Sequence, residues 1–581
     1  MIGITYNLST EQYPYIINLC TLPKRYLLLS YLWKCYLYTK LLFMKSLMSL
    51  SFVLFVQICI FAQVNFTKSD LPIIIINTQG KDIVDDPKIT AQMSIIYNGP
   101  GIENKINDTP NEYNGLIGIE FRGSSSQQFP KKPFGLETIS ANGENNNVSL
   151  LGMPEENDWI LNATYNDKSL MRDMLAYIVG GSMMDYTTRG RYCELVINGQ
   201  YEGIYILMEK IKRDKNRVNI KNIGPTDISG DKLTGGYIIK IDKETGTNSG
   251  EGWVSPYKPF PNAWQNTFFQ FEFPKVEDLN NQQRAYIQNH INKVENSIAA
   301  NNYKDPVTGY RQYIDTKSLI DFIIMNEITK NPDAYRLSTF FYKDRDSEGG
   351  KIKFGPIWDF NLGFGNVDYC TQGDPNGLVI NSFNNVCEGD YWVIHFWWNR
   401  FLQDEAFYNE LKLRWKDLRT SQLSKNRLNT VIDSIALVVD QSKGRNFQRW
   451  PILGQYIWPN YFVGNTYEEE VIYLKNWVNN RIDYLDVIWK TNSSNTSDLQ
   501  NSLFTLVPNP ATDNVKLQYL EEIPENTKVQ LFTITGQKVD TKYTVENEKS
   551  IEVDISQFAK GMLFLQVNSG QNTIIKKIIK Q

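Results

Sequence analysis

Histidine is nearly missing from this sequence. Among 581 residues only His290 and His395 occur, so neither a multi-histidine metal centre nor a histidine-based catalytic triad is expected. Metal chemistry would fall to carboxylate and amide oxygens, a donor set that favours hard ions such as Mg²⁺ or Mn²⁺. Cysteine is scarce too: there are six, without a C-x-x-C pair, which argues against zinc. A basic excess is lacking. The net charge of −4 points away from nucleic acid. The apolar run Leu47–Ala62 is shorter than the roughly 20 residues of a membrane-crossing helix, so no stable transmembrane span is expected. What is present is an apolar fraction of 42% with 13% aromatics. That composition suits large, ring-rich cores, and the length calls for two or more domains.

The apolar run lies in "MKSLMSLSFVLFVQICIFAQ", which starts at Met44 with a lysine behind it. It matches a secretory signal over residues 44–62 with cleavage near Ala62, and translation is expected to begin at Met44, leaving 1–43 as an upstream extension. An uncleaved anchor is the alternative. Ile58 before Cys59 is not the small residue that lipid attachment requires. Past the leader remain Cys193, Cys370 and Cys387. The last two flank a Gly/Asn/Asp-rich loop, and a disulfide between them is expected in an oxidising compartment.

From residue 71 short apolar runs alternate with turns: "LPIIIIN", "ITAQMSIIYNG", "LIGIEFRGSS" and "KKPFGLET" read as strands. Ser169–Val179 reads as a helix capped by Asp167 or Ser169. In "RYCELVINGQYEGIYILMEKI" the central Asn-Gly is a two-residue hairpin signal, and "GGYIIKID" adds another strand. Helical patterns follow over Asp278–Ala299 and Thr316–Lys330. A strand pair, Ser338–Lys343 and Lys351–Ile357, precedes a tryptophan-rich helical stretch. The fold class is α+β, with a β-rich half before a helical one. Residues 491–502 are a polar linker, and 503–581 read as a small β-sandwich.

Two acids draw attention. Pro332 ends the preceding helix and leaves Asp333 on a loop; Asp359, in "IWDFNLGFGN", follows the strand pair that starts just beyond it. A hairpin returns the chain beside its origin, so both carboxylates are expected to face one site. That pairing suits phosphoryl transfer, with one acid orienting a hydroxyl and the other holding a metal. Two acids capping turns is the blander alternative. Asn361 adds an amide oxygen. In "EFRGSSSQQFPKKPFGLE" the turn Arg122, Gly123, Ser124 and its neighbours can cradle an anion. Strand parity with Phe134 and Leu136 favours Lys132 over Lys131 as the inward lysine. Arg172 and Glu209 are candidates to brace that lysine or to contact a nucleotide; a surface ion pair is the other reading.

In order, "FRGSSSQQFPKKPF", "YNDKSLMRDMLAY", "LVINGQYEGIYILMEKIKRDKNRVNI", "GGYIIKIDK" and "IWDFNLGFGN" resemble the CotH family of secreted and spore-coat protein kinases, over roughly 71–490. The resemblance implies a two-lobed, atypical protein-kinase-like fold that uses ATP with Mg²⁺ or Mn²⁺ to phosphorylate Ser or Thr of extracellular proteins. It makes Asp333 the catalytic acid, Asp359 the metal ligand and Lys132 the ATP-contacting lysine. The sequence departs from the family after Asp333, where Ser338 and Thr339 stand near the place of an asparagine that is often a second metal ligand. It also has no G-x-G-x-x-G loop, so "RGSSS" would serve instead. A catalytically silent surface protein of kinase-like shape, and a metal-dependent hydrolase, are the alternatives. The end of the chain, with "LVPNPATDNVKL", "LFTITGQKV", "GMLFLQV" and "TIIKKIIKQ", resembles the type A sorting domain of the type IX secretion system of Bacteroidota-like bacteria. This implies secretion or outer-membrane attachment, with that machinery as a partner.

Overall fold

Apolar runs broken by turns in the first half of the chain become strands of a closed barrel. The computed structural model describes residues 64–244, 250–490, 504–519, 522–533, 537–569 and 572–581. The expected leader at 44–62 and the linker at 491–502 lie outside them. All elements considered below belong to the unit Asn65–Gln581.

The barrel has the strand order Gly190–Ile197, Gln200–Glu209, Asp158–Asn162, Phe134–Ile139, Tyr113–Phe121, Ile89–Ile96 and Ile73–Asn77. Neighbours are antiparallel except at the closure, where Ile73–Asn77 runs parallel to Gly190–Ile197 with Glu194 opposite Ile73. Closure leaves no unpaired edge. Ile74, Ile76, Met93, Ile117, Leu136, Trp159, Leu195 and Leu207 fill the interior. The Asn-Gly turn forms as its residue types require, with Asn198 at φ 51° and Gly199 at φ 79°.

Beyond the barrel a five-stranded antiparallel sheet has the order Gly252–Val254, Phe268–Phe273, Tyr237–Ile241, Thr339–Lys343 and Ile352–Phe354. The expected strand pair is present at its edge. Its central strand is the "GGYIIKID" run, while Phe268–Phe273, the strand beside that one, lay unread between that run and the helical pattern over Asp278–Ala299. Helices pack against this sheet: Asn281–Ala299, Thr316–Thr329 and Phe396–Leu402 bring Ile291, Ile324, Trp397 and Trp398 into one core with Phe341 and Phe354. The aromatic surplus is spent here; Trp398 lies 5.3 Å from Phe354 and 4.6 Å from Tyr335. The result is a mixed α+β body.

Residues from Phe504 onward form two four-stranded sheets with a separate core of Val515, Leu517, Leu531, Ile551, Val553, Leu565 and Ile578. Among the described residues no helix is long and apolar enough to cross a membrane.

Candidate functional site

The helix expected over Ser169–Val179 begins later, at Arg172. Asp167 takes the N–H groups of Ser169, Met171 and Arg172, and Leu170 turns to φ 61°. These bonds hold the chain in a non-helical loop until Arg172. The late start places Asp173 and Tyr177, one turn apart on a common face, against the segment Trp358–Phe360. The Asp173 carboxylate accepts from the Phe360 N–H at 2.7 Å and from Asn162 at 2.9 Å, and the Asp359 N–H donates to the Tyr177 hydroxyl at 3.3 Å. Thus fixed, Asp359 sits at φ 66°, a left-handed conformation that costs a non-glycine residue about 1 kcal/mol or more.

Asp333 is tied to the same segment. The buried Asn331 amide donates to the Asp359 carbonyl at 3.0 Å, and its oxygen accepts from the Asp333 N–H at 3.2 Å. One side chain therefore couples the backbones of both acids. The Asp333 carboxylate accepts from the buried Arg336 guanidinium at 2.9 Å.

At Asp359 itself the nearby carboxylates outnumber the cations. Asp359 stays open to solvent although protein surrounds it. Burial first, then the carboxylates of Asp173, Asp333 and Asp242, push its pKa up to about 7 against the pull of Arg122. Burial likewise pushes Asp173 up to about 6. It also raises Asp333, with Arg336 and Lys243 opposing.

Cations flank the acids. Arg122, just past the strand Tyr113–Phe121, lies 5.1 Å over the Trp358 ring, and burial draws its pKa down while Asp359 and Glu272 support its charge. Lys210, just past its barrel strand, lies 3.9 Å from Asp158 and is lowered by burial, with Asp158 and Glu272 supporting its charge and Arg122 opposing it. Lys240 stands 3.3 Å from Glu272 and 3.8 Å from Asp242; although burial opposes it, these two acids hold its pKa up. The strand Tyr237–Ile241 and its continuation thus carry the boundary between the two signs, with Lys240 on one side and Asp242 on the other. An anion suits Arg122, Lys210 and Lys240; a divalent cation suits Asp359 and its neighbours. Among the described residues no preformed group of three or more His, Cys, Asp or Glu side chains could hold a metal. Mg²⁺ commonly needs only one or two carboxylates when substrate phosphates complete its shell.

The residues expected from sequence divide accordingly. Asp333, Asp359 and Arg122 share one electrostatic neighbourhood. The Asn361 amide nitrogen is committed to Asn166 at 3.0 Å, so only its oxygen is left for a cation. Gly123 adopts φ 97°, and a Cβ there would meet the Ser126 hydroxyl at 2.0 Å, so this turn requires glycine. Ser124 precedes the 3₁₀ turn Ser125–Gln128.

Three expectations need correction. The buried lysine is Lys131, not Lys132: its ammonium donates to the Ile204 carbonyl and to Asn446 and lies 4.8 Å over Tyr205. The parity argument fails because both lysines lie in the bend before the strand, which starts at Phe134. Lys132 instead donates to the Gln127 carbonyl within the Gly/Ser turn. Arg172 pairs with Asp167 at 2.5 Å in a fully buried ion pair. Glu209 pairs with Arg189 at 2.7 Å and accepts from the Tyr186 hydroxyl. Neither braces a lysine.

Sequence reading missed Asp173, Asn331, Arg336, Lys210 and Lys240. Asp173 carried a signal in its place four residues before Tyr177 on a helix; the lysines carried none, because only the tertiary fold brings them near Glu272 and Arg122.

The family model for CotH kinase protein matches residues 119–485. The chain belongs to the CotH kinase family. Residues 505–581 match the secretion system C-terminal sorting domain. That type IX domain marks the protein for secretion or the outer surface and implies the type IX machinery as a partner. None of the curated proteins matches the chain.

Proposed function

We propose that this protein is an exported protein kinase that transfers the γ-phosphate of ATP to Ser or Thr hydroxyls of extracellular or surface proteins. In this reading the barrel and the helical body act as two lobes facing each other across the recess. The observation that carries it is the coupling of Asp333 and Asp359 through Asn331, with a cationic flank on the same recess. Asp333 accepts the acceptor hydroxyl's proton. Its pairing with Arg336 keeps it oriented, and its raised pKa favours proton uptake. Arg122, with Lys210 and Lys240, binds phosphate oxygens, while Trp358 and the walls around it limit water. Asp359, with Asn361 beside it, would hold Mg²⁺ or Mn²⁺, which when bound neutralises charge on the phosphates. Asp359 fits a divalent cation because the carboxylates near it outweigh the Arg122 guanidinium that opposes them. Lys132 remains a candidate to reach the nucleotide if the Gly/Ser turn opens.

The test is transfer of labelled γ-phosphate to a generic protein acceptor with Mn²⁺, for wild type, Asp333→Asn and Asp359→Asn. Loss in both variants, with folding intact, is expected. Transfer unchanged in Asp359→Asn overturns the metal assignment. A wild type that neither labels protein nor is stabilised by ATP with Mn²⁺ favours the silent surface protein, a reading that Ser338 and Thr339 motivate. Phosphate released to water without labelled protein marks a hydrolase.

A further inference from the structure

Cys370 and Cys387 are bridged, with Cα atoms 4.9 Å apart. Both flanks of the bridged loop converge on Asp333. On the far side, Asp390 folds back on Cys387 through its N–H to the Cys387 carbonyl at 3.1 Å. Its carboxylate accepts from Arg336 at 3.1 Å, the same guanidinium that holds Asp333 at 2.9 Å. Arg336 is further fixed by the carbonyls of Pro332 at 2.8 Å and Trp392 at 3.2 Å, and it lies 4.3 Å over Phe383, a ring inside the loop. On the near side, Tyr369 lies within electrostatic reach of Asp333, Arg336 and Asp390. Between the flanks, the loop carbonyls of Thr371 and Asp374 accept from Lys330 at 2.7 and 2.8 Å. Lys330 ends the helix Thr316–Thr329, three residues before Asp333.

Every one of these contacts bears on the orientation of one carboxylate. Arg336 is the hinge: buried, doubly ion-paired and unable to lose its charge. A bridge that closes the loop sets where Asp390 stands, and so where Arg336 and Asp333 point. An error of about 1 Å at a proton-accepting group can cost about 100-fold in rate.

We infer that the Cys370–Cys387 disulfide, acting through Asp390 and Arg336, positions Asp333, so that the recess becomes competent only after the chain is oxidised. This rests on the kinase reading above for its consequence, though not for the linkage itself. Closing the bridge removes two electrons and two protons from the two thiols, which a disulfide-bearing exchange partner accepts; a dithiol returns them. Arg336 and Asp390 are positioning residues, for neither need touch substrate.

Two readouts on the full chain test it. Hydrogen exchange is measured on oxidised protein and on protein reduced with dithiothreitol, following the amides of Ala334, Arg336 and Leu337, which bond to Asn331 and Asp333. Reduction is expected to speed their exchange about tenfold or more, and reoxidation to restore it. Exchange unaltered by reduction overturns the linkage. Transfer kinetics are then measured for Asp390→Asn, which keeps the bridge, and for the double variant Cys370→Ser, Cys387→Ser. Both should lose kcat about tenfold or more with KM for ATP within about twofold; Arg336→Lys should lie between them and wild type. A kcat unchanged in Asp390→Asn and in reduced protein overturns the positioning role. Should exchange respond while wild type transfers no phosphate, the linkage stands and the kinase reading falls.

Discussion

Two charged clusters, a short distance apart in sequence, are treated in opposite ways. Around Glu327 and Arg481 every charge is answered. Both are fully buried and lie 3.0 Å apart. Glu327 also accepts from Tyr335, Val379 and Ile380; Arg481 donates to the carbonyls of Glu327, Pro375 and Gly377. Asp359 itself is not so answered: the carboxylates of Asp173, Asp333 and Asp242 crowd it, the Arg122 guanidinium opposes them, and solvent reaches it. The first cluster holds the helical body together. The second holds carboxylates that raise the pKa of Asp359, the arrangement on which the proposed site rests.

The contrast can be broken at its strongest point first. Removing one partner of a buried pair strands the other charge, so Glu327→Ala is expected to cost about 3–5 kcal/mol in chemical denaturation. A loss below about 1 kcal/mol would make the two clusters alike. Asp359→Asn should behave in the reverse sense: transfer falls about 100-fold or more, while the metal-free variant melts at or above wild type at pH 8. The sign follows from linkage. A carboxyl whose folded pKa is raised to about 7, against about 3.9 in the unfolded chain, adds stability below pH 4. That stability is lost as pH rises through 7. A neutral amide escapes the loss.

A subtler test uses the cation. Mn²⁺ must displace the proton from Asp359, so the rise in melting temperature on adding Mn²⁺ should grow between pH 5 and pH 8, and Asp359→Asn should abolish it. A rise independent of pH would place the ion elsewhere. The smallest effect is expected from the end of the chain. The sandwich has its own core, so ending the chain after Lys490 should leave the melting of the remaining body within about 1 °C and leave phosphate transfer intact.

How much of this was legible beforehand varies with how local the cause is. The hairpin at Asn198–Gly199, the helix Thr316–Thr329 and the strand pair Thr339–Lys343 and Ile352–Phe354 follow from turn chemistry and periodicity. Cys370 and Cys387 were paired in expectation because they flank one Gly/Asn/Asp-rich loop, and the bridge is present. The lysine assignment failed because a parity rule was applied before the pleat begins. Arg172 and Glu209 were candidates to brace a lysine or contact a nucleotide, with a surface ion pair as the other reading; each is instead buried and paired, Arg172 with Asp167 and Glu209 with Arg189, because an unpaired charge inside would be too costly.

From its own order, the chain determined most of the strands, helices and turns, the scarcity of imidazole, and the two acids around which the proposed site is argued. Family membership is likewise written in blocks of consecutive residues. The tertiary structure alone decided that Arg122 stands near Asp359, that Asn331 couples the two acids, and that Arg336 bonds both Asp333 and Asp390. Those contacts join residues far apart in the chain, and a carboxylate's affinity for protons or metal is set by every charge within a few ångströms, whatever its place in the sequence.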